Sequence, residues 1–314
     1  MQLSALTIVR GREKHLYNQW LGLMRSSLLP AQWIIVGMDQ DVALPPEVLS
    51  HRRRVQSAAA SHNEASAATA TQTIETKIDV RTARVDRDGE QLPLAEARNR
   101  AAELCQTDAM IFLDVDCIPA PSMLETFRQA LRDDPRLWMG NVRYLPAGAA
   151  SDGWQMDDLD RLAVDHPLQP RLMPGERHKS QRYELFWSLC FAATKQTFDR
   201  IGGFDPTFDG YGGEDTDFAF AARRQKVPFG FVAATAYHQH HPVCKPPLNH
   251  FHAIVRNAKR FQQKWGVWPM ESWLHGFAQR GLVEFRPAED LLRIVREPSP
   301  EEVRQARTTT AAGF

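Results

Sequence analysis

The sequence predicts an α/β domain built on a mostly parallel sheet, and three observations carry that prediction. Apolar, β-rich runs of strand length occur at Leu3–Val9, Trp33–Met38 and Ala109–Leu113. Stretches with helical spacing lie between them, and a strand–helix–strand order is the pattern of parallel pairing. The third run passes straight into Asp114-Val115-Asp116, and in open α/β sheets ligands gather outside the carboxyl ends of strands.

Leu3–Val9 (LSALTIV) is the first strand, and an amphipathic stretch from Lys14 to about Leu29 stops at Pro30. Trp33–Met38 (WIIVGM) is a second buried strand. Gln56–Gln72 is rich in Ala, Ser and Thr with little apolar patterning, and reads as a surface excursion or weak helix. Lys77–Val85 alternates like a strand, and Pro93–Leu104 carries strong helix formers after a proline. A helix over Pro119–Arg132 and a strand over Leu137–Leu145 follow the acidic pair. Ala147–Arg182 is irregular and long, as functional loops and lids are. Glu184–Ala193 reads as a strand, Lys195–Ile201 as a short helix, Asp215–Gln225 as a helix and Phe229–Ala233 as the last core strand. Helix dominates from His238 to about Phe277, and the polar tail from Pro298 reads as frayed.

Composition excludes several classes. The chain has 314 residues, 43% hydrophobic and 24% charged, which is enough to bury a core. Lys plus Arg and Asp plus Glu both total 38, for a formal net charge of zero. A nucleic-acid partner calls for a basic excess that is not there, so an anionic ligand must be held by local groups. The cysteines are scattered without a CxxC pair, as in reduced, cytoplasmic proteins. No apolar run reaches the ~18 residues of a membrane span, and the opening residues lack a signal-peptide pattern. The expectation is a cytoplasmic chain without a transmembrane segment, with peripheral membrane contact left open.

Four clusters carry chemistry. Two carboxylates one residue apart at a strand end, Asp114 and Asp116, can grip a hard divalent cation and a ribose together, although strand-end acids also cap turns. Gly202-Gly203-Phe204-Asp205 leads to Tyr211-Gly212-Gly213-Glu214-Asp215-Thr216-Asp217. Acids near a helix N-terminus are favoured by its dipole, yet a cap needs one acid and here there are three. Asp217 suits the structural role, and Glu214 with Asp215 looks like a base and its neighbour. His238-Gln239-His240-His241 places three histidines within four positions. Without a cysteine pair, a cation shared with Asp116 is a better reading than a dedicated zinc site. Arg98-Asn99, and Arg10 with Arg12, sit at the proposed carboxyl edge, where arginine forks suit phosphate and base edges and solvation is the plainer alternative.

At these residues the chain resembles family 2 glycosyltransferases, with a C-terminal half similar to the galactosyl- and N-acetylgalactosaminyltransferase type. The segments that carry the resemblance are Leu92–Pro119 and Gly202–Phe220, and it spans roughly Leu3 to Met270. It implies a GT-A fold, a mostly parallel mixed sheet flanked by helices. The catalytic domain would be residues 1–245, with a nucleotide-binding half 1–118 and an acceptor half 119–245, followed by a helical C-terminal extension 246–314. It implies Mn²⁺ or Mg²⁺ on Asp116 with His238, and His240 as the alternative ligand. Asp114 would touch the ribose or the metal's water shell, and Thr7, Arg10, Arg98 and Asn99 would line the nucleotide pocket. Asp215 would be the base, with Glu214 helping to hold the acceptor. The chain departs from the family at Asp39, which follows the second strand without the usual Asp-Asp-Gly-Ser-like turn, and at Tyr211, where relatives often carry tryptophan.

The implied reaction is inverting transfer of a sugar from a nucleotide diphosphate donor, UDP by family habit, to a saccharide or other glycoconjugate acceptor. The loop Ala147–Arg182 would close over the donor. Trp187, Trp265 and Trp268 are candidates for stacking on sugars, with core packing favoured for Trp265. A nucleotidyltransferase would need a better phosphate loop than Val9-Arg10-Gly11-Arg12. A haloacid-type phosphatase would need a Thr or Val where Ile118 stands. A sugar- or nucleotide-binding module would have no need of Glu214-Asp215 beside an intact acidic pair.

Overall fold

A computed structural model describes residues 1–49, 78–87 and 91–308. The excursion expected over Gln56–Gln72 lies outside the described residues, as do 309–314. The main sheet is built from β1 (Leu3–Val9), β2 (Gln32–Met38), β3 (Asp79–Val85), β4 (Ala109–Leu113), β5 (Cys117–Pro119), β6 (Leu137–Tyr144), β9 (Cys190–Thr194) and β10 (Phe229–His238) in the order β3-β2-β1-β4-β9-β6-β10-β5. Two short strands, β7 (Val164–Asp165) and β8 (Arg177–Ser180), join it through β6 and β10.

Strand direction decides where the site forms. β1, β2, β3 and β4 are mutually parallel. β9 runs antiparallel to both β4 and β6, so β6 again points with β4, and β10 lies parallel to β6. The carboxyl ends of β1, β2, β4, β6 and β10 therefore meet along one edge. Arg10, Asp39, Asp114, Tyr144 and His238 stand there because each ends or follows one of these strands.

Alternation assigns each strand residue to a face. Leu3, Ala5 and Val9 of β1, Trp33 and Ile35 of β2, and Ile111 and Leu113 of β4 pack against Leu16, Trp20 and Leu23 of α1 (Glu13–Met24). Leu6, Ile8, Ile34, Val36, Met110 and Phe112 face the opposite core, with Ala97 and Ala101 of α2 (Leu94–Leu104). The first core is completed by α3 (Met123–Asp133). The second takes α5 (Lys195–Ile201) and α6 (Glu214–Arg224), which follow α4 (Met156–Leu162) in the chain. An aromatic stack fixes α6 to the sheet. The Phe218 ring centre lies 5.9 Å from that of Phe191 on β9 and 4.3 Å from that of Phe204, and Phe191 in turn stacks on Phe112 of β4 at 4.5 Å. Such pairs add about 0.5–1.5 kcal/mol each beyond the area they bury.

Several expected elements are corrected. The strand expected over Glu184–Ala193 is only β9, because Tyr183–Leu185 forms a 3-10 turn and the Leu189 carbonyl accepts the Asp114 N–H at 2.8 Å before pairing begins. The last core strand runs on to His238. Ala147–Arg182 is not irregular throughout. It contains α4, β7 and β8, buries Trp154 and Leu159 in a small core, and is tied down by Arg143 to Asp160 and Asp165.

After β10 come β11 (Val243–Cys244), α7 (Phe251–Trp265), α8 (Glu271–Gln279), the hairpin β12–β13 (Val283–Arg286, Leu291–Ile294), α9 (Pro300–Ala306) and β14 (Arg307–Thr308), which pairs with β11. The tail expected to fray is instead helical through Ala306, because Ser299 and Glu302 form a reciprocal capping box at its start. This C-terminal part grips α6. Lys264 and the Trp265 indole both bond Asp217, and Asn257 donates to the carbonyls of Asp209 and Gly212. Asp217 and Trp265 are structural, as the sequence suggested.

Candidate active site

Asp116 follows the turn out of β4. Its Oδ1 accepts from Arg12 Nη1 at 2.7 Å and from His15 Nδ1 at 2.5 Å, and its Oδ2 lies 3.4 Å from His241 Nε2. Ligand atoms of Asp116, His238 and His241 all lie within 4.8 Å of one another. Burial would raise the Asp116 carboxyl, but the His15 hydrogen bond and the charges of His238, Arg12 and His241 outweigh it and hold the group below its usual range. Burial brings His238 down to about 4, against the pull of Asp116, and lowers His241 as well. Both imidazoles are then neutral near pH 7, as metal ligands must be.

The ring that the structure brings beside Asp116 and His238 is His241 rather than His240. The resemblance implied His238 with His240 as the alternative. β10 ends at His238, however, and the Gln239 N–H turns in to donate to the Asp116 carbonyl at 2.7 Å. The chain bends there, and His241 is the ring that comes back.

Asp114 lies one residue before the turn. Burial first, and the Asp116 charge second, raise its carboxyl to about 6, against Arg98 and Arg12. Arg98 is 6% exposed and donates to Glu214 Oε1 at 3.2 Å, and its charge acts on Asp114 and Asp215 alike. Its bond to Glu214 and its charge on Asp114 link the acidic turn to α6.

Glycines at 210, 212 and 213 all have positive φ, and Gly213 starts α6 in a left-handed conformation that a side chain would strain. This turn aims Glu214 and Asp215. Glu214 Oε1 meets Arg98 and Oε2 accepts the Gly212 N–H at 3.1 Å, so Glu214 braces the turn. Asp215 Oδ1 accepts from the Thr216 N–H at 2.7 Å. Burial, then the neighbouring Glu214 charge, raise the Asp215 carboxyl to about 7, with Arg98 opposing. Beside it Tyr211 stacks between His250 at 4.5 Å and Trp273 at 5.9 Å.

Two of the residues expected in the nucleotide pocket are otherwise engaged. Thr7 lies on the α1 side of β1, 1% exposed, donating to Gln19 and accepting from the Trp33 indole. Both amide atoms of Asn99 bond the Phe204 backbone, tying α2 to the glycine-rich segment. Arg10 and Asp39 do meet at the edge, 3.6 Å apart. Asp39 has a left-handed backbone, its Oδ1 accepts from the Arg87 N–H, and its Oδ2 is buried without a hydrogen-bond partner, an atom suited to a ligand donor. His15 was not singled out from the sequence, where only a polar residue on the inner face of α1 pointed to it. His241 was part of the histidine cluster, though not the preferred ligand.

The glycosyltransferase-like family 2 profile matches residues 61–235, more than half of the chain. The chain belongs to that family. It is 25% identical over 191 residues to the hyaluronan synthase of Pasteurella multocida, covering 54% of this chain and 19% of that much longer protein. Among solved structures, S. aureus TarS residues 1–349 in complex with UDP-GlcNAc aligns over 83% of this chain and 67% of that one, with a TM-score of 0.50 and 11% identity. A longer S. aureus TarS structure gives 0.50 and 12% identity over 83% of this chain and 40% of that one. At that identity the likeness is one of fold, and it agrees with the GT-A architecture expected from the sequence. Among the described residues, no helix is long and apolar enough to cross a membrane.

Proposed function

We propose that the chain is a divalent-cation-dependent glycosyltransferase that moves a sugar from a nucleoside diphosphate donor to a hydroxyl of a saccharide or glycoconjugate acceptor, with inversion. The observation that carries this reading is a carboxylate–imidazole cluster at the sheet edge together with a separate carboxyl on α6 poised near neutrality, with the buried Arg98 charge acting on both Asp114 and Asp215. Asp116, His238 and His241 would hold the cation. Their mixed oxygen and nitrogen set suits Mn²⁺ better than Mg²⁺, which prefers oxygen alone. A cation held there stabilises, as a Lewis acid, the charge that builds on a departing diphosphate.

The chain's own residues do the rest. Asp39 and Arg10 flank the place for the base, and Asp114 the ribose. Asp215 takes the proton of the acceptor hydroxyl, and a carboxyl near 7 is matched to that task. Tyr211, 36% exposed and steadied by stacking with His250 and Trp273, presents an aromatic edge beside Asp215 for the acceptor ring. One base and an in-line displacement give inversion. UDP-sugars come first because TarS, of similar fold, binds UDP-GlcNAc.

The test is a panel of nucleotide sugars with Mn²⁺, scored for released nucleoside diphosphate. One donor is expected to turn over, and Asp116→Ala and Asp215→Asn to abolish that turnover. A chain that neither binds nor turns over any donor with any divalent cation is not this enzyme. A chain that binds a donor equally well with or without Asp215, and never turns it over, is a binding module.

A further inference from the structure

The Asp116 carboxylate divides its oxygens. Oδ1 takes both Arg12 Nη1 and His15 Nδ1, while Oδ2 faces His241. Two donors on one oxygen fix the rotation of the group and turn the other oxygen toward the imidazoles.

His15 is one of three polar side chains on the inner face of α1, with Asn18 and Gln19 at i+3 and i+4. Asn18 is 4% exposed and Gln19 is fully buried, on a face that ordinary amphipathicity would make apolar. Gln19 Nε2 donates to the carbonyls of Asp114 at 2.8 Å and Cys117 at 3.1 Å. Asn18 Nδ2 donates to Gln239 Oε1 at 2.7 Å, and its Oδ1 accepts from the Trp154 indole. Gln239 Nε2 returns to the His15 carbonyl at 3.1 Å. One helix face thus grips both segments that bring ligands, the turn after β4 and the chain leaving β10. A buried polar network in which the members are partnered rigidifies what it touches.

We propose that His15 is a positioning residue for the metal site, whose Nδ1–H holds Asp116 Oδ1 so that Oδ2 is aimed at a cation shared with His238 and His241. The inference rests on the metal reading above. Outer partners of this kind are typically worth about 10–100-fold in metal affinity.

The experiment is calorimetric titration of Mn²⁺ into the full chain at fixed pH, without nucleotide sugar, with thermal unfolding alongside. His15→Ala is expected to weaken Mn²⁺ by about 10–100-fold. His15→Asn places an amide nitrogen where Nδ1 stands and is expected to restore most of that loss. His15→Phe keeps the ring volume without the donor, so it is expected to bind as weakly as His15→Ala and serves if the alanine variant does not fold. Parent-like affinity in His15→Phe or His15→Ala overturns the proposal, as does a loss in His15→Asn equal to theirs. Asp116→Ala separates the two ideas. If it binds Mn²⁺ like the parent, the metal reading itself fails. If it abolishes binding while His15→Phe does not weaken it, positioning alone fails.

Discussion

Two carboxylates, Asp116 after β4 and Asp215 in the first turn of α6, one buried and one half-buried, are driven in opposite directions. Asp116 sits among Arg12, His15, His238 and His241, and their charges and hydrogen bonds overcome burial. Asp215 sits beside Glu214, and burial with a like charge brings it up to about 7. Burial is common to both, so the neighbours decide. The first group stays charged at any working pH and suits a cation. The second can take and release a proton near neutrality, which suits a base.

The sharpest way to break this contrast is Asp215→Asn. It is expected to lower kcat by about 10²–10⁴-fold, the usual worth of a general base, while Mn²⁺ affinity measured by calorimetry stays at the parent value. A comparable loss of Mn²⁺ binding would mean that the two carboxylates form one site. Next in size is the histidine series. His238→Ala and His241→Ala are each expected to weaken Mn²⁺ by at least about tenfold, and His240→Ala to change it little. A large effect at position 240 alone would reverse the assignment of the third ligand.

A pH profile sharpens the other side. A base acts when ionised, so kcat/KM is expected to rise with pH and level off above about 7. Removing the Glu214 charge takes away a cause of the raised value, so Glu214→Gln is expected to move that rise to lower pH. An unmoved or upward-shifted limb would show that another group controls it. The smallest expected effect is at Trp273, which contacts Tyr211 and neither carboxylate. Trp273→Ala is expected to raise the acceptor KM several-fold, on the order of 1 kcal/mol of stacking, with kcat nearly unchanged in a steady-state assay.

The sheet was legible because period-two alternation and apolar length are local properties. β1, β2 and β4 read off their own residues, and Asp114, Asp116, His238 and Asp215 could be placed from the strand or helix that each one ends or begins. Thr7, implied by the resemblance for the nucleotide pocket, takes the face of β1 toward α1 and bonds Gln19, a facing that alternation along the strand decides. His241 was hidden by a chain bend set by a bond from Gln239 to Asp116, more than a hundred residues away in sequence. His15, Asn18 and Gln19 answer only to groups brought in by folding, although three polar residues on the inward face of an otherwise apolar helix were a visible exception. The β12–β13 hairpin was missed because four-residue strands carry too little pattern to separate them from helix.

The grip of the C-terminal part on α6 sets the unit in which this protein can be varied. The boundary drawn from sequence at residue 245 suggests a tail that could be exchanged between relatives like a cartridge. A cut there would separate Lys264 and Trp265 from Asp217, and Asn257 from the glycine-rich turn that presents Asp215. It would also part Trp273 from Tyr211. Chimeras that carry residues 202–224 together with the C-terminal part keep base and aromatic face as one inherited block, whereas chimeras joined at 245 graft one parent's support onto the other's chemistry.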